Sequence, residues 1–303
     1  MTAALAPLSV RLRLLVVIAA SATAYFSLLR VTTEAGVPPF GFVFWHCIAS
    51  ALLLVPIMIA RRTPLRLGRA ELKFCTVSAA LGLALPFIAL VLASPRIPVG
   101  IVGMVVTIEP AITYLIALLL VIERFRWLRV GGVLLGVGGL LLIVLPEASL
   151  PSPDMVPWVL VAFAMPLCWA GWSNWMSIAM PPAMGGVAAT FGLMVIAALM
   201  LLPVAAATGQ LWWFDGPSGG MWWVLPIFAA INAVLWTAEF ESVRVSGPVF
   251  YSLWAFIGTP MAIASGMLFF NESPSLWIWS ALVVLFASLW LVNHTMDAVK
   301  MLG

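Results

Sequence analysis

Apolar residues in this chain come in long unbroken runs, not in the alternating pattern of a half-buried strand or the striped pattern of a surface helix. The runs cover roughly 12–30, 40–60, 74–93, 99–121, 129–146, 157–178, 184–207, 221–240, 247–269 and 275–293, and the short stretches between them hold most of the charges. A bilayer span needs about 20 apolar residues. The pattern therefore predicts an all-α membrane protein with ten transmembrane helices. Arg11 and Arg13 ahead of the first run, with Ala22-Thr23-Ala24 inside it, resemble a secretory leader. The nine runs that follow favour a first transmembrane helix, and the segment is kept.

Composition agrees. The chain has 303 residues, 64% of them hydrophobic and 8% charged, whereas a soluble domain carries about a quarter charged residues. A soluble enzyme is excluded on that ground. The net charge of +3 does not call for nucleic acid. With a cytoplasmic N-terminus, the inner loops and helix edges hold Arg11, Arg13, Arg61, Arg62, Arg66, Arg69, Lys73, Arg124, Arg126, Arg129, Arg244 and Lys300. Only Arg30 and Arg96 are left for the outer side, with Glu34, Glu147, Asp154, Asp215 and Glu272. The positive-inside rule explains such a bias and places both termini in the cytoplasm. Trp212, Trp213, Trp222, Trp223, Trp277 and Trp279 are expected at the membrane interface. Cys47, Cys75 and Cys168 are expected as buried thiols without disulfides.

An internal repeat underlies the ten runs. Pro110–Ala117 leads to Glu123 thirteen residues after the proline, and Pro260–Met267 leads to Glu272 twelve residues after. Ala51–Pro56 matches Ala198–Pro203, so the offset is 147 to 150 residues. Each half, 1–149 and 150–303, then holds five spans, and an odd number per half forces opposite orientations. Inverted repeats are a signature of secondary transporters, which bind their solute near the midplane between the halves.

On these residues the chain resembles the drug/metabolite transporter superfamily in its EamA-domain branch. The fourth helix of each half has a central proline, Pro110 or Pro260, and ends at Glu123 or Glu272. The stretches Ala84–Pro110 and Asn232–Pro260 match the family's passage from third to fourth helix. By size and ten-helix organisation the chain is similar to bacterial amino-acid exporters of the YddG type. The resemblance implies alternating access in a cell inner membrane, with export of amino acids, aromatic ones included. It also implies a cavity lined by the third, fourth, eighth and ninth helices, with the first, second, sixth and seventh as gates.

Two carboxylates fall within spans. Glu109 lies in the middle of the fourth, directly before Pro110, and Glu239 near the inner end of the eighth. A charge at a helix centre costs about 2.5–3.5 kcal/mol even on translocon scales. Glu109 should therefore face a cavity or a partner, or carry a proton, which suits a coupling site. A neutral Glu held by broken backbone beside Pro110 is the alternative. Pro86, Pro110, Pro166, Pro226 and Pro260 interrupt spans and free backbone carbonyls. Pro110 and Pro260 hold corresponding positions and are hinge candidates expected to face each other. Among mid-span aromatics, Trp169 and Trp236 are too deep for an interfacial belt, and a buried indole N–H seeks a partner. Asn232 lies one turn before Trp236 on the same helix face, the preferred wall for substrate. Tyr25, Trp45, Trp172, Tyr251 and Trp254 complete the mid-span aromatic set. Trp172 and Asn174 are expected to face apart, with Asn174 capping the inner end of its helix. His46 is either a satisfied intramembrane histidine or a functional one; no metal site accompanies it. Gly132 and Gly136 permit close helix approach, within the chain or to a second copy.

Other classes fit less well. Lys73 and Lys300 are the only lysines, and neither sits in a phosphate-binding loop. No span holds an Asp, and no nucleophile motif accompanies His46, so no enzyme is expected. A channel or an intramembrane enzyme remains as an alternative from another class. Vitamins, nucleobases and amphiphilic drugs are alternative solutes. The expected partners are a small-molecule substrate, the lipid bilayer and a proton as coupling ion. No cofactor, metal or nucleic acid is expected, and monomer and homodimer stay open.

Overall fold

A computed structural model of the protein describes residues 6–63, 68–106, 108–123, 125–144, 152–214 and 217–294. They form ten helical passages, and no strand occurs among them. The first five are α1 (Leu8–Glu34), α2 (Pro39–Ala60), α3 (Arg69–Ala93), α4 in two pieces (Val99–Val106 and Glu109–Leu119) and α5 (Trp127–Val144). Then come α6 (Pro153–Ala179), α7 (Gly186–Ala207), α8 (Val224–Ser246), α9 in two pieces (Pro248–Tyr251 and Trp254–Phe270) and α10 (Leu276–His294). Seven of these, α1–α3 and α6–α9, are long and apolar enough to cross a membrane, and shorter apolar helices lie in the other three. The protein is an all-α, multi-pass membrane protein. Arg66, Arg124, Glu147, Asp215, Lys300 and the boundary between the halves at 149–150 lie outside the described residues.

Three interruptions follow from proline chemistry. Proline has no N–H for the carbonyl four residues back. Pro110 withdraws it from Val106, where the first piece of α4 ends. Pro166 withdraws it from Ala162, where the regular helix inside α6 breaks. Pro86 withdraws it from Gly82, inside a stretch of α3 wound as a wider π-type turn, Ala79–Ala84. Such turns are frequent at functional sites. Pro260 behaves differently: it is exposed on an unbroken Trp254–Phe270, while Pro110 is buried. The facing pair expected from the sequence is not formed.

Connections are as tight as the sequence allows. After Glu34, the Val37 N–H donates to Thr32 O and the Gly36 N–H to Thr33 O, both at 3.0 Å. This is a Schellman closure with Gly36 at φ 77°, a conformation glycine adopts without strain. Pro38 and Pro39 then start α2.

The packing obeys the repeat. α2 packs on α7 and α5 on α10, each helix on its own repeat mate. α1 packs on α8 as α6 packs on α3, and α1 on α9 as α6 on α4. Exchanging the halves leaves the pairings unchanged. The start of α1 and the end of α6 meet at one end of the bundle, where Ala6 and Met176 share a cavity wall. Equivalent helices therefore run in opposite directions, and the repeat is inverted. α5 and α10 approach closely through the glycines: Ser288 Oγ donates to Gly132 O at 2.6 Å, and a Cβ on Gly136 would fall 2.7 Å from Ser288 Oγ. That contact lies within the chain.

Trp212 departs from the interfacial expectation. It is 1% exposed, with its ring against Phe42 and Phe214 and its carbonyl accepting the Trp45 indole N–H at 2.6 Å. The loop after α7 folds over the start of α2, where Gly41 leaves room for Gln210 and Trp212. Trp213, Trp222 and Trp223 are exposed, as expected.

Candidate functional site

α3 is the most buried of the seven long helices, and its widened turn borders a cavity at mid-depth. The walls are Ala22, Tyr25 and Phe26 from α1, Gly82, Leu83, Pro86, Phe87 and Leu90 from α3, and Trp169 from α6. Leu235, Trp236 and Glu239 from α8 and Trp254 from α9 complete them. The repeat mates α1 and α6, and α3 and α8, thus face each other across it. α3, α8 and α9 line it as the resemblance implies. α1 and α6 line it too, and α4 contributes none of the described lining residues. The room open to water-sized molecules is about 30 Å³, and one water needs about 10–15 Å³ on that measure. That room holds a few waters and no organic solute. A solute requires a wider one.

The wall rings are held by their polar edges. Because Pro86 leaves the Gly82 carbonyl free, the Trp169 indole N–H donates to it at 2.8 Å. The Trp236 indole N–H donates to Asn232 Oδ1 at 2.7 Å. Asn232 Nδ2 donates in turn to Ser50 Oγ at 3.3 Å, and Ser50 Oγ to His46 O at 2.7 Å. Asn232 is 0% exposed; it positions Trp236 against α2 and is no wall residue itself. With both indole donors used, these rings offer the cavity no donor.

Glu239 is 7% exposed and lines the cavity. Its Oε1 accepts from the Tyr251 hydroxyl at 3.0 Å, so Tyr251 stands behind the carboxylate. Glu109 is 0% exposed and does not line the cavity. Both of its oxygens are without a hydrogen-bond partner among the described residues, although the Trp254 indole and Glu239 lie within its electrostatic reach. Thr113 Oγ1, Asn174 Oδ1 and Ser242 Oγ are also buried and unpartnered among the described residues. Asn174 does not cap the inner end of α6. Its Nδ2 donates to Ala170 O at 2.8 Å and to Thr113 O at 3.1 Å, tying α6 to α4.

His46 is 0% exposed and packed among the rings of Tyr25, Phe42 and Phe228, with Nδ1 unpartnered among the described residues. No cluster of metal-ligating side chains occurs among the described residues. The structure therefore brings together Tyr25, Trp169, Trp236, Glu239, Trp254 and, behind them, Tyr251. It leaves His46, Pro110 and Pro260 outside.

Sequence reasoning missed Phe26, Phe87 and Gly82, and named Trp172 among the mid-span aromatics without giving it a place at the site. Trp172 is fully buried, its ring 5.0 Å from that of Trp236 and 6.3 Å from that of Tyr251. Gly82 was within reach, since counting four residues back from Pro86 finds the freed carbonyl.

The arrangement has two ends. At one, Arg30 pairs with Glu34 at 2.6 Å and with Glu272, joining α1 to the residues just after α9. At the other, the Arg11 guanidinium lies 3.7 Å from the Phe250 ring centroid.

Residues 12–145 match the EamA-like transporter family. Protein PecM of Dickeya dadantii (strain 3937) is 26% identical over 219 residues, which cover 69% of this chain and 71% of that protein. A solved crystal structure of a protein with 19% identity superposes with a TM-score of 0.61 over 94% of this chain and 98% of its own, a likeness of fold. The ten helices and their inverted packing accompany a first half that is similar to the EamA-like transporter family.

Proposed function

We propose that the protein is a secondary transporter that moves a small organic solute by alternating access, and that amino acids, aromatic ones included, are among its solutes. The observation that carries this is the mid-depth cavity between repeat mates, walled by aromatic rings and one carboxylate. Inverted repeats bind their solute at such an interface and open it to either side by rocking one half against the other. The present volume matches the closed intermediate of that cycle. The paired Arg30 and Glu272 hold α1 to the end of α9 on the side we assign to the exterior.

Glu109 and Glu239 are the proposed coupling groups. A buried carboxylate without a cation beside it is held most cheaply with a proton on it, so these two side chains can exchange protons as the cavity changes access. Both termini are proposed to lie in the cytoplasm of a cell with an inner membrane.

The test is uptake of labelled tryptophan by proteoliposomes holding the purified protein, with and without a pH gradient, beside empty liposomes. Saturable, protein-dependent uptake that responds to the gradient supports amino-acid transport with proton coupling. Absence of uptake of tryptophan, vitamins, nucleobases and amphiphilic cations alike sinks the transporter reading.

A further inference from the structure

We infer that the cleft at the Arg30 end of the bundle is a second binding site, one for a small zwitterion that carries an ammonium and a carboxylate on one body. The inference rests on the reading of the protein as an amino-acid transporter and adds a stop outside the mid-depth cavity. The cleft has a volume of about 330 Å³, at the lower end of the range for small-molecule sites, about 300–1,000 Å³. Its described walls include Arg30 and Glu34 from α1, Ser94 and Arg96 directly after α3, and Glu272 after α9. Two helices carry the wall of the mid-depth cavity straight into it. On α1, Phe26 belongs to the cavity and Arg30 to the cleft; at the end of α3, Leu90 belongs to the cavity and Ser94 to the cleft. The Ser94 N–H donates to Leu90 O at 2.7 Å, so the helical turn is intact there. A spacing of four keeps each pair on one helix face and puts about 6 Å of rise between the two rooms.

Both charges of such a solute find a counterpart in the cleft. Arg30 holds Glu34 and Glu272 together, so two carboxylates share one guanidinium. The Glu34 side chain is 56% exposed and open to an ammonium. Arg96 is the opposite case. Its guanidinium lies 3.9 Å from the Trp158 ring centroid, and its Nη1 donates to Leu92 O at 2.6 Å. No carboxylate pairs with it among the described residues. Stacking on the indole fixes the plane of the guanidinium and leaves the Nε–Nη2 edge, which can take a carboxylate as a two-pronged fork. Ser94 Oγ, without a partner among the described residues, adds a hydroxyl donor to the same wall. A solute with one charge engages one of these two sides. A zwitterion engages both.

The test is equilibrium binding of labelled tryptophan to the detergent-purified full chain at low ionic strength, where contacts between exposed charges are least screened. It is run on wild type, Arg96→Gln and Arg96→Lys, none of which alters the wall of the mid-depth cavity. Tryptamine (amine only) and indole-3-propionate (acid only) compete for the share of binding that Arg96→Gln removes. Arg96→Gln is expected to weaken tryptophan about fivefold, a difference of about 1 kcal/mol, and Arg96→Lys to recover part of the loss. Each one-charge analogue is expected to compete at least about fivefold more weakly than unlabelled tryptophan. Binding to Arg96→Gln within twofold of wild type, either analogue competing as well as tryptophan, or no tryptophan binding at all overturns the inference. Arg96 is exposed, and recovery in Arg96→Lys shows that the loss comes from the missing charge and not from a damaged fold. Flux in proteoliposomes separates the cleft from the transporter reading. Tryptophan binding that depends on Arg96, without protein-dependent flux, keeps the cleft and removes the transporter. Flux whose half-saturating concentration is unchanged in Arg96→Gln keeps the transporter and removes the cleft.

Discussion

Glu239 and Glu109 are both buried acids near mid-membrane, yet their surroundings differ in every respect that bears on use. Glu239 faces the cavity, keeps some exposure and has one oxygen fixed by Tyr251. Glu109 is fully buried off the cavity wall, with both oxygens unpartnered among the described residues. A carboxylate with a satisfied rear and an open front is built to receive something. One with neither is costly to hold charged, and its natural company is a proton. The difference separates contact with solute from storage of a proton, two duties that the sequence left mixed.

The comparison can be broken most directly at Glu239. Glu239→Gln should lower solute uptake by more than about tenfold, in line with the loss of a desolvated charge contact; uptake within twofold of wild type would move the binding role elsewhere. Glu109→Gln should leave solute binding nearly unchanged while uptake stops responding to an imposed pH gradient. Equal damage to binding in both variants would erase the distinction. Tyr251→Phe should cost about 0.5–1.5 kcal/mol, the value of a hydrogen bond to a neutral acid, read as a lower unfolding midpoint and weaker binding together. Gly82→Ala should have the smallest effect. Its new methyl would lie 3.0 Å from Trp236 Cζ3 and 3.1 Å from Trp172 Cε2, so the rings must yield by a few tenths of an ångström, and a loss of affinity of about twofold is expected.

The fold was legible to the extent that burial in lipid writes itself as hydropathy. Ten runs gave ten helical passages, and the 147–150 offset gave the inversion that α1 and α6 display. The broken helices were legible too, because Pro110, Pro86 and Pro166 act four residues upstream by fixed geometry. The site was legible only in part. Glu239, Trp169, Trp236 and Trp254 stood out as polar or amphipathic groups in apolar runs, but nothing along the chain told which of them would share a wall. Trp172 was legible as a mid-span aromatic but not as a neighbour of Trp236 and Tyr251, because it is buried against α8 and α9 by tertiary contacts that spacing does not carry. Trp212 looked interfacial because it neighbours Trp213, and a loop folded over Gly41 put it inside. Asn232 was placed on the right face and given the wrong task, since its amide is consumed by Trp236 and Ser50.

The bond from Trp169 to the Gly82 carbonyl has a meaning beyond positioning a ring. Gly82 belongs to the first half of the chain and Trp169 to the second, so rocking the halves apart must break it. The closed state thereby carries a bias of about 0.5–1.5 kcal/mol, a factor of roughly two to ten in its population over the open states. Proline at 86 sets that bias. Pro86→Ala would return the Gly82 carbonyl to its own helix, release the indole, and tilt the resting ensemble toward conformations in which the cavity stands open.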